Sequence, residues 1–197
     1  ARAAEVLAEQ RAAGWVAERI EWKFPEGHAI GGLALRGKID RVERHAATGR
    51  VRVLDFKTAD RPVSPRAAHC RRAARADERA PEFARFEIGG EALVWTDLQL
   101  PLYAAALQKR GQSISSVAYF ALPKSIQDTA ILQWEGFDAE LIEAAHQCAA
   151  EAVQRIRSGQ FWPPAERSPN ASFDEILLHD PMHSVQPPLA SLQLPVY

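Results

Sequence analysis

Cysteine is scarce in this chain of 197 residues: only Cys70 and Cys148 occur, far apart. Two such thiols build neither a disulfide framework nor a four-thiolate metal site, and a reducing cytoplasm fits them. The six histidines show no metal-ligand spacing. No apolar run approaches the roughly 20 residues that a bilayer-spanning helix needs, so no membrane partner is expected. The opening stretch, ARAAEVLAEQRAAG, is amphipathic and charged and lacks the apolar core of a signal peptide. Charge of one sign is missing too. The 24 Lys and Arg residues against 25 Asp and Glu leave a net charge of -1, so any surface for a polyanion must be local. No internal repeat is visible. An initiator Met is absent, and the chain is expected to be a fragment of a longer protein.

What is present is the balance of an ordinary soluble globular protein, 47% hydrophobic and 25% charged. Residues 1–19 read as a helix, with Ala, Leu and Val on one side and Glu, Gln and Arg on the other. RIEWKF, Arg19 to Phe24, alternates as a strand does. LALRGKIDRVER, Leu33 to Arg44, alternates again, and HAATGR turns the chain at Gly49 into a third strand, VRVLDFKT, Val51 to Thr58. The next segment, ADRPVSPRAAHCRRAARADERAPEFARF, holds seven arginines from Arg61 to Arg85 and several prolines. It reads as an irregular surface insertion, or as a mobile arm near a polyanion.

TDLQLPLYAAALQKRG, Thr96 to Gly111, reads as a helix. Thr96 is its expected N-cap, Gln99 completes a capping box, Pro101 sits in the first turn and Gly111 at the stop. SISSVAYFAL and TAILQWEGF read as strands, and Asp138 to Gly159 as a long amphipathic helix capped by Asp138. The expected organisation is one α/β domain over residues 1–160, a sheet flanked by helices, then a proline-rich tail over 161–197.

The chemistry gathers in RGKIDRVERHAATGRVRVLDFKT, Arg36 to Thr58. A short turn joins its strands, which should pair antiparallel, and Asp55 and Lys57 share a face. If Asp40 faces the same side, one patch holds two carboxylates and an ammonium. Carboxylates that close repel unless a cation lies between them. Hard oxygen ligands without Cys or His suit Mg²⁺ or Mn²⁺. Such a metal can activate a water and stabilise charge on a phosphodiester. Lys57 would then orient that water or neutralise the developing charge. A D-x-K alone is short and common, and by itself reads first as a structural ion pair, Asp55 with Lys57 or Asp40 with Arg41.

Taken in order, GKIDRVE, VRVLDFKT and LQLPLYA resemble the RecB-type nucleases of the PD-(D/E)xK superfamily, AddB/RecB-like modules. Their motifs run G-x-x-D-R-h-(D/E), an apolar strand ending D-(Y/F)-K-T, and a helix with Q-h-x-x-Y. The resemblance covers about residues 20 to 160. It implies a restriction-endonuclease-like core, a central mixed β-sheet flanked by helices. It also implies a metal-dependent deoxyribonuclease in which Asp40 and Asp55 bind Mg²⁺ or Mn²⁺. The backbone carbonyl of Phe56 would be a further ligand, and Lys57 the catalytic lysine. Gln99 and Tyr103, four apart on one helix face, would lie beside the site and help hold DNA. On spacing alone Gln99 is a capping-box residue and Tyr103 a core aromatic. Thr58, Arg41 and Glu21 also fit the pattern, with Thr58 as a strand-end hydroxyl, Arg41 as half of an ion pair, and Glu21 more structural than catalytic.

Two departures from that pattern stand out. The family's usual further ligand, a His or Glu on an upstream helix, has little room in the roughly 20 residues before the first strand. Glu5, Glu9 or Glu18 could stand in, or the ligand lies upstream. Relatives that hold an iron–sulfur cluster use clustered C-terminal cysteines, and the stretch after GQFWPP has none, so no iron–sulfur cluster is expected. The implied setting is a C-terminal module of a helicase–nuclease-like protein in DNA repair and recombination. Its partners would be DNA and helicase or repair-complex subunits, or domains of the same longer chain. A rival reading keeps the fold as a catalytically inactive DNA-binding or scaffolding module. A third has a nuclease for RNA or mobile-element DNA.

Overall fold

A computed structural model describes residues 2–24, 26–73 and 80–160. Residues through Val153 form one compact unit, and a second unit, Gln154–Tyr197, is described only as far as residue 160. The proline-rich tail expected at 161–197 therefore lies outside the described residues, as do Arg75 and Arg79 of the arginine segment.

Helix α1 spans Arg2–Ala12. Gly14, at φ +94°, ends it and turns the chain into strand β1, Trp15–Lys23. The helix expected to reach residue 19 thus stops early. Trp15, Val16, Ile20 and Trp22 are good strand formers, and pairing with a neighbouring strand outweighs the weak helix preference of the alanines around them. A small hairpin follows, β2 (Ala29–Ile30) and β3 (Leu33–Ala34), tightened by Gly31 and Gly32 at positive φ. The strand expected over Leu33–Arg44 is therefore interrupted and resumes as β4, Lys38–His45. Gly37 lies in the gap, where a Cβ would come within 3.0 Å of the ring of Phe24 and push that ring aside. Strand β5 is Val51–Lys57.

The arginine-rich segment is not the irregular insertion its composition suggested. Together with the residues that follow it as far as Trp95, it forms α2 (Pro65–His69), β6 (Cys70–Arg72), a single 3-10 turn (Glu82–Ala84), β7 (Arg85–Ile88) and β8 (Glu91–Trp95). The three strands form a small sheet in the order β6–β8–β7. Cys70, Ala84, Val94 and Trp95 from this segment are buried in the main core. On its charged side Glu91 pairs with both Arg66 and Arg72.

The chain continues through α3 (Gln99–Gln108), β9 (Ile114–Ala121), β10 (Ala130–Gln133) and α4 (Ala139–Arg157). Asp138 caps α4 as expected, its Oδ1 accepting the N–H groups of Glu140 and Leu141 at 3.0 Å each. The main sheet has the order β1–β4–β5–β9–β10. All its pairs are antiparallel except β5–β9, which is parallel. A parallel pair needs a long crossover, and α2, the small sheet and α3 supply it. Helix α3 packs on β5 and β9, and α1 on β1 and β10. The core closes Val42, Val53 and Val117 of the sheet against Leu100 of α3 and Leu141 and Ala145 of α4. This is the expected mixed sheet flanked by helices, and it sets the ends of β4 and β5 beside the start of α3.

Candidate active site

The backbone ladder between β4 and β5 runs as far as the pair Arg41–Leu54. Beyond it a side chain takes over: Asp40 Oδ2 accepts the Phe56 N–H at 2.8 Å. Asp40 is thereby fixed with its second oxygen left for another partner. Asp55, on β5, is 3% exposed. Lys57 Nζ lies 2.7 Å from its Oδ2, close enough for an ion pair. That oxygen is buried, and no second donor among the described residues reaches it. Burial is the largest influence on the Asp55 carboxyl and raises its pKa above the usual carboxylate range; Lys57 opposes the rise, and the charge of Asp40 adds to it.

Lys57 has a second acceptor, Gln99 Oε1 at 2.7 Å, and its ammonium stands 5.1 Å from the centre of the Tyr119 ring. An ammonium only donates, so this bond fixes which way the amide points. Gln99 Nε2 then donates to Tyr103 Oη at 3.0 Å. Tyr103, Gln99, Lys57 and Asp55 form one continuous polar chain, with Asp40 on the adjoining strand. The Tyr103 ring meets Phe24 edge-on at 5.7 Å, the same Phe24 that lies against Gly37.

The start of α3 is held differently from its expected capping box. The Thr96 hydroxyl donates to the Ala68 carbonyl at 2.9 Å and its N–H to the His69 carbonyl at 2.8 Å. The free N–H groups of the first turn are taken by other side chains: Asp97 Oδ1 accepts from Gln99 at 2.7 Å, and His69 Nε2 accepts from Leu100 at 3.1 Å. Because Nε2 accepts, Nδ1 carries the proton, and it faces the Pro65 carbonyl at 3.0 Å and Tyr119 Oη at 3.1 Å. His69 is fully buried, and burial lowers its pKa below the ordinary imidazole value. It therefore braces both neighbours of Lys57, Gln99 through the helix start and Tyr119 through its hydroxyl. Nothing in the sequence pattern marks it, because its partners lie 31 and 50 residues away in the chain.

The remaining family-pattern residues stand apart. Arg41 pairs with Glu43 at 2.7 Å, not with Asp40. Glu21 is exposed, pairs with Lys38 and has φ +52°. Glu5 and Glu9 bind Arg2, and Glu18 binds Arg44. None joins the aspartates: among the described residues no group of three His, Cys, Asp or Glu side chains is placed to hold a metal. Asp40 and Asp55 still fit a hard cation, since they offer carboxylate oxygens only, and Asp40 uses just one of its two on the Phe56 N–H.

The sequence matches the PD-(D/E)XK nuclease superfamily over residues 1–169, and the chain belongs to that superfamily. Nuclease activity, DNA as the substrate and the use of divalent metal ions are general to it, and the five-stranded mixed sheet with its helices is its restriction-endonuclease-like core. A search of curated proteins found no match. No helix among the described residues is long and apolar enough to cross a membrane.

Proposed function

We propose that this chain is a Mg²⁺- or Mn²⁺-dependent deoxyribonuclease of the RecB type. The observation that carries the reading is the buried carboxylate of Asp55, whose one cationic partner, Lys57, is shared with Gln99 and stands beside Asp40 on the adjoining strand. Asp40, Asp55 and the Phe56 carbonyl would hold the cation. When bound, such an ion supplies an activated water and neutralises phosphate charge. Lys57 has the reach and the fixed position to steady charge that builds on a phosphate at the mouth of the site. Gln99 keeps Lys57 aimed, and Gln99 and Tyr103 form the wall on which the DNA backbone rests. The motif order supports placement as the C-terminal, cytoplasmic module of a helicase–nuclease-like repair protein.

The test is Mn²⁺ calorimetry with DNA cleavage on the full-length protein, with and without Asp55→Ala. Binding and cleavage should both disappear in the variant, cleavage by about two orders of magnitude or more. Full metal-dependent cleavage by Asp55→Ala would refute the assignment. One observation favours a second reading, an inactive DNA-binding module: no third carboxylate or histidine joins the pair among the described residues. DNA binding without any Mn²⁺ heat would support that reading, and parallel assays on RNA would separate the two polymers.

A further inference from the structure

A cleft of about 270 Å³ opens directly beside Lys57. Thr58, Arg61 and Val63 of the chain that leaves β5 line it, together with Ala68, Asp97 and the end of β9. We propose that this cleft receives the base of one unpaired nucleotide next to the bond being cut. The proposal rests on the nuclease reading above and narrows its substrate to a strand whose bases can leave the stack.

Four observations support this occupant. First, the interior is apolar, with Pro62, Val63, Ala68 and Ala121 among its lining residues, which suits the faces of a heterocycle and not a phosphate. Second, two cations line the cleft, Lys57 and Arg61, and Arg61 is exposed. Third, Asp97 also lines the cleft. Its Oδ1 is engaged by the Gln99 N–H, leaving Oδ2 to accept from a base amino or imino group. An acidic group there repels phosphate, so the cleft is polarised. The phosphate stays with Lys57 and Arg61, and the base enters toward Asp97. Fourth, the wall is built before any ligand arrives. Ala68 and His69 carbonyls hold Thr96, and His69 holds Leu100 and Tyr119.

The volume lies just below the range of about 300–1,000 Å³ typical of ligand pockets. That admits one base and excludes a paired one, since a base pair cannot enter without unpairing. The same site could read a base only loosely, because apolar faces accept every heterocycle and only Asp97 and Thr58 offer edge contacts.

The experiment is equilibrium binding by fluorescence anisotropy in EDTA at fixed low salt, so that it does not depend on cleavage. The probes are a labelled oligothymidylate, an abasic sugar–phosphate strand of the same length, and a blunt duplex. The wild-type protein should bind the base-bearing strand about tenfold more tightly than the abasic one. Val63→Asp, at a residue 49% exposed, should leave thermal stability unchanged and bring that ratio close to one. Arg61→Glu should weaken both strands alike, because it removes a phosphate contact. Three results would overturn the proposal: no preference for bases in the wild type, a ratio unaffected by Val63→Asp, or duplex bound as tightly as the single strand. The nuclease reading is judged separately by Asp55→Ala, so either can fail while the other stands.

Discussion

Two buried carboxylates on neighbouring strands of one sheet are treated in opposite ways. Glu43, on β4, is fully buried, and both its oxygens are engaged: Oε1 by Arg41 Nε and Oε2 by Arg52 Nε, each at 2.7 Å. Arg52 is itself enclosed, with Trp15 packed 4.1 Å over its guanidinium. Asp55, on β5, is nearly as buried but has a single cationic neighbour, which it shares with Gln99. A saturated carboxylate has nothing left to offer a ligand. A sparsely paired one is costly in isolation and persists where the surrounding fold imposes it, which is how functional groups are commonly held. Burial alone therefore does not separate the two carboxylates; the number of cations each one holds does.

Breaking the Glu43 side of this comparison should have the largest effect. Glu43→Gln leaves the buried Arg52 and the half-buried Arg41 beside a neutral group, and removing one partner of a buried ion pair costs about 3–5 kcal/mol. Urea unfolding should show that loss, while activity per folded molecule stays near wild type. A Glu43→Gln protein that kept its stability but lost cleavage would reverse the assignment of the two carboxylates.

His69 sharpens the comparison, because it supports the unsaturated site without touching it. His69→Ala removes an acceptor from Leu100 and leaves a cavity, and together these should cost about 2–4 kcal/mol. Cleavage should fall further than stability explains, since Lys57 loses the bracing of Gln99 and Tyr119. His69→Gln, which keeps an acceptor at the same reach, should recover most of the rate. The pH dependence has a definite sign. The folded pKa of His69 is lowered, chiefly by burial and also by Lys57, against the opposing pull of Asp97 and the Pro65 carbonyl. The unfolded chain then takes up a proton first as pH falls, so the stability His69 contributes is complete above the ordinary imidazole pKa and declines below it. Urea midpoints measured across that range should slope in the wild type and flatten in His69→Gln.

Much of this was legible in the sequence, and the exceptions share a cause. The β4–β5 hairpin was readable because a short turn and a period of two are local signals. Asp55, Lys57, Gln99 and Tyr103 were readable because their motifs occur in order, and the structure links them through hydrogen-bond and ion-pair distances. The small sheet β6–β8–β7 was not: CRR and RFEI are too short and too charged to show a period, and only packing of Cys70, Val94 and Trp95 fixes them. The end of α1 was missed because alanine-rich sequence favours helix until a partner strand competes. His69 was missed because it works on a backbone N–H, and a backbone donor leaves no mark in the residue types around it.

The smallest effect, and the most specific to the comparison, belongs to Asp55→Asn. At Glu43 the amide replaces a charge that two arginines require. At Asp55 it replaces a charge that burial disfavours and that Lys57 only partly compensates. Lys57 is 37% exposed and keeps Gln99 as an acceptor, so it is not stranded. Without metal, Asp55→Asn should match the wild type in stability or exceed it by up to about 1 kcal/mol, the opposite sign to Glu43→Gln, and it should bind no Mn²⁺. Added Mn²⁺ should then raise the melting temperature of the wild type alone, because only a state that binds the ion is stabilised by it. A destabilised Asp55→Asn protein would mean that Asp55 serves the fold as Glu43 does, and that its sparse pairing marks no site.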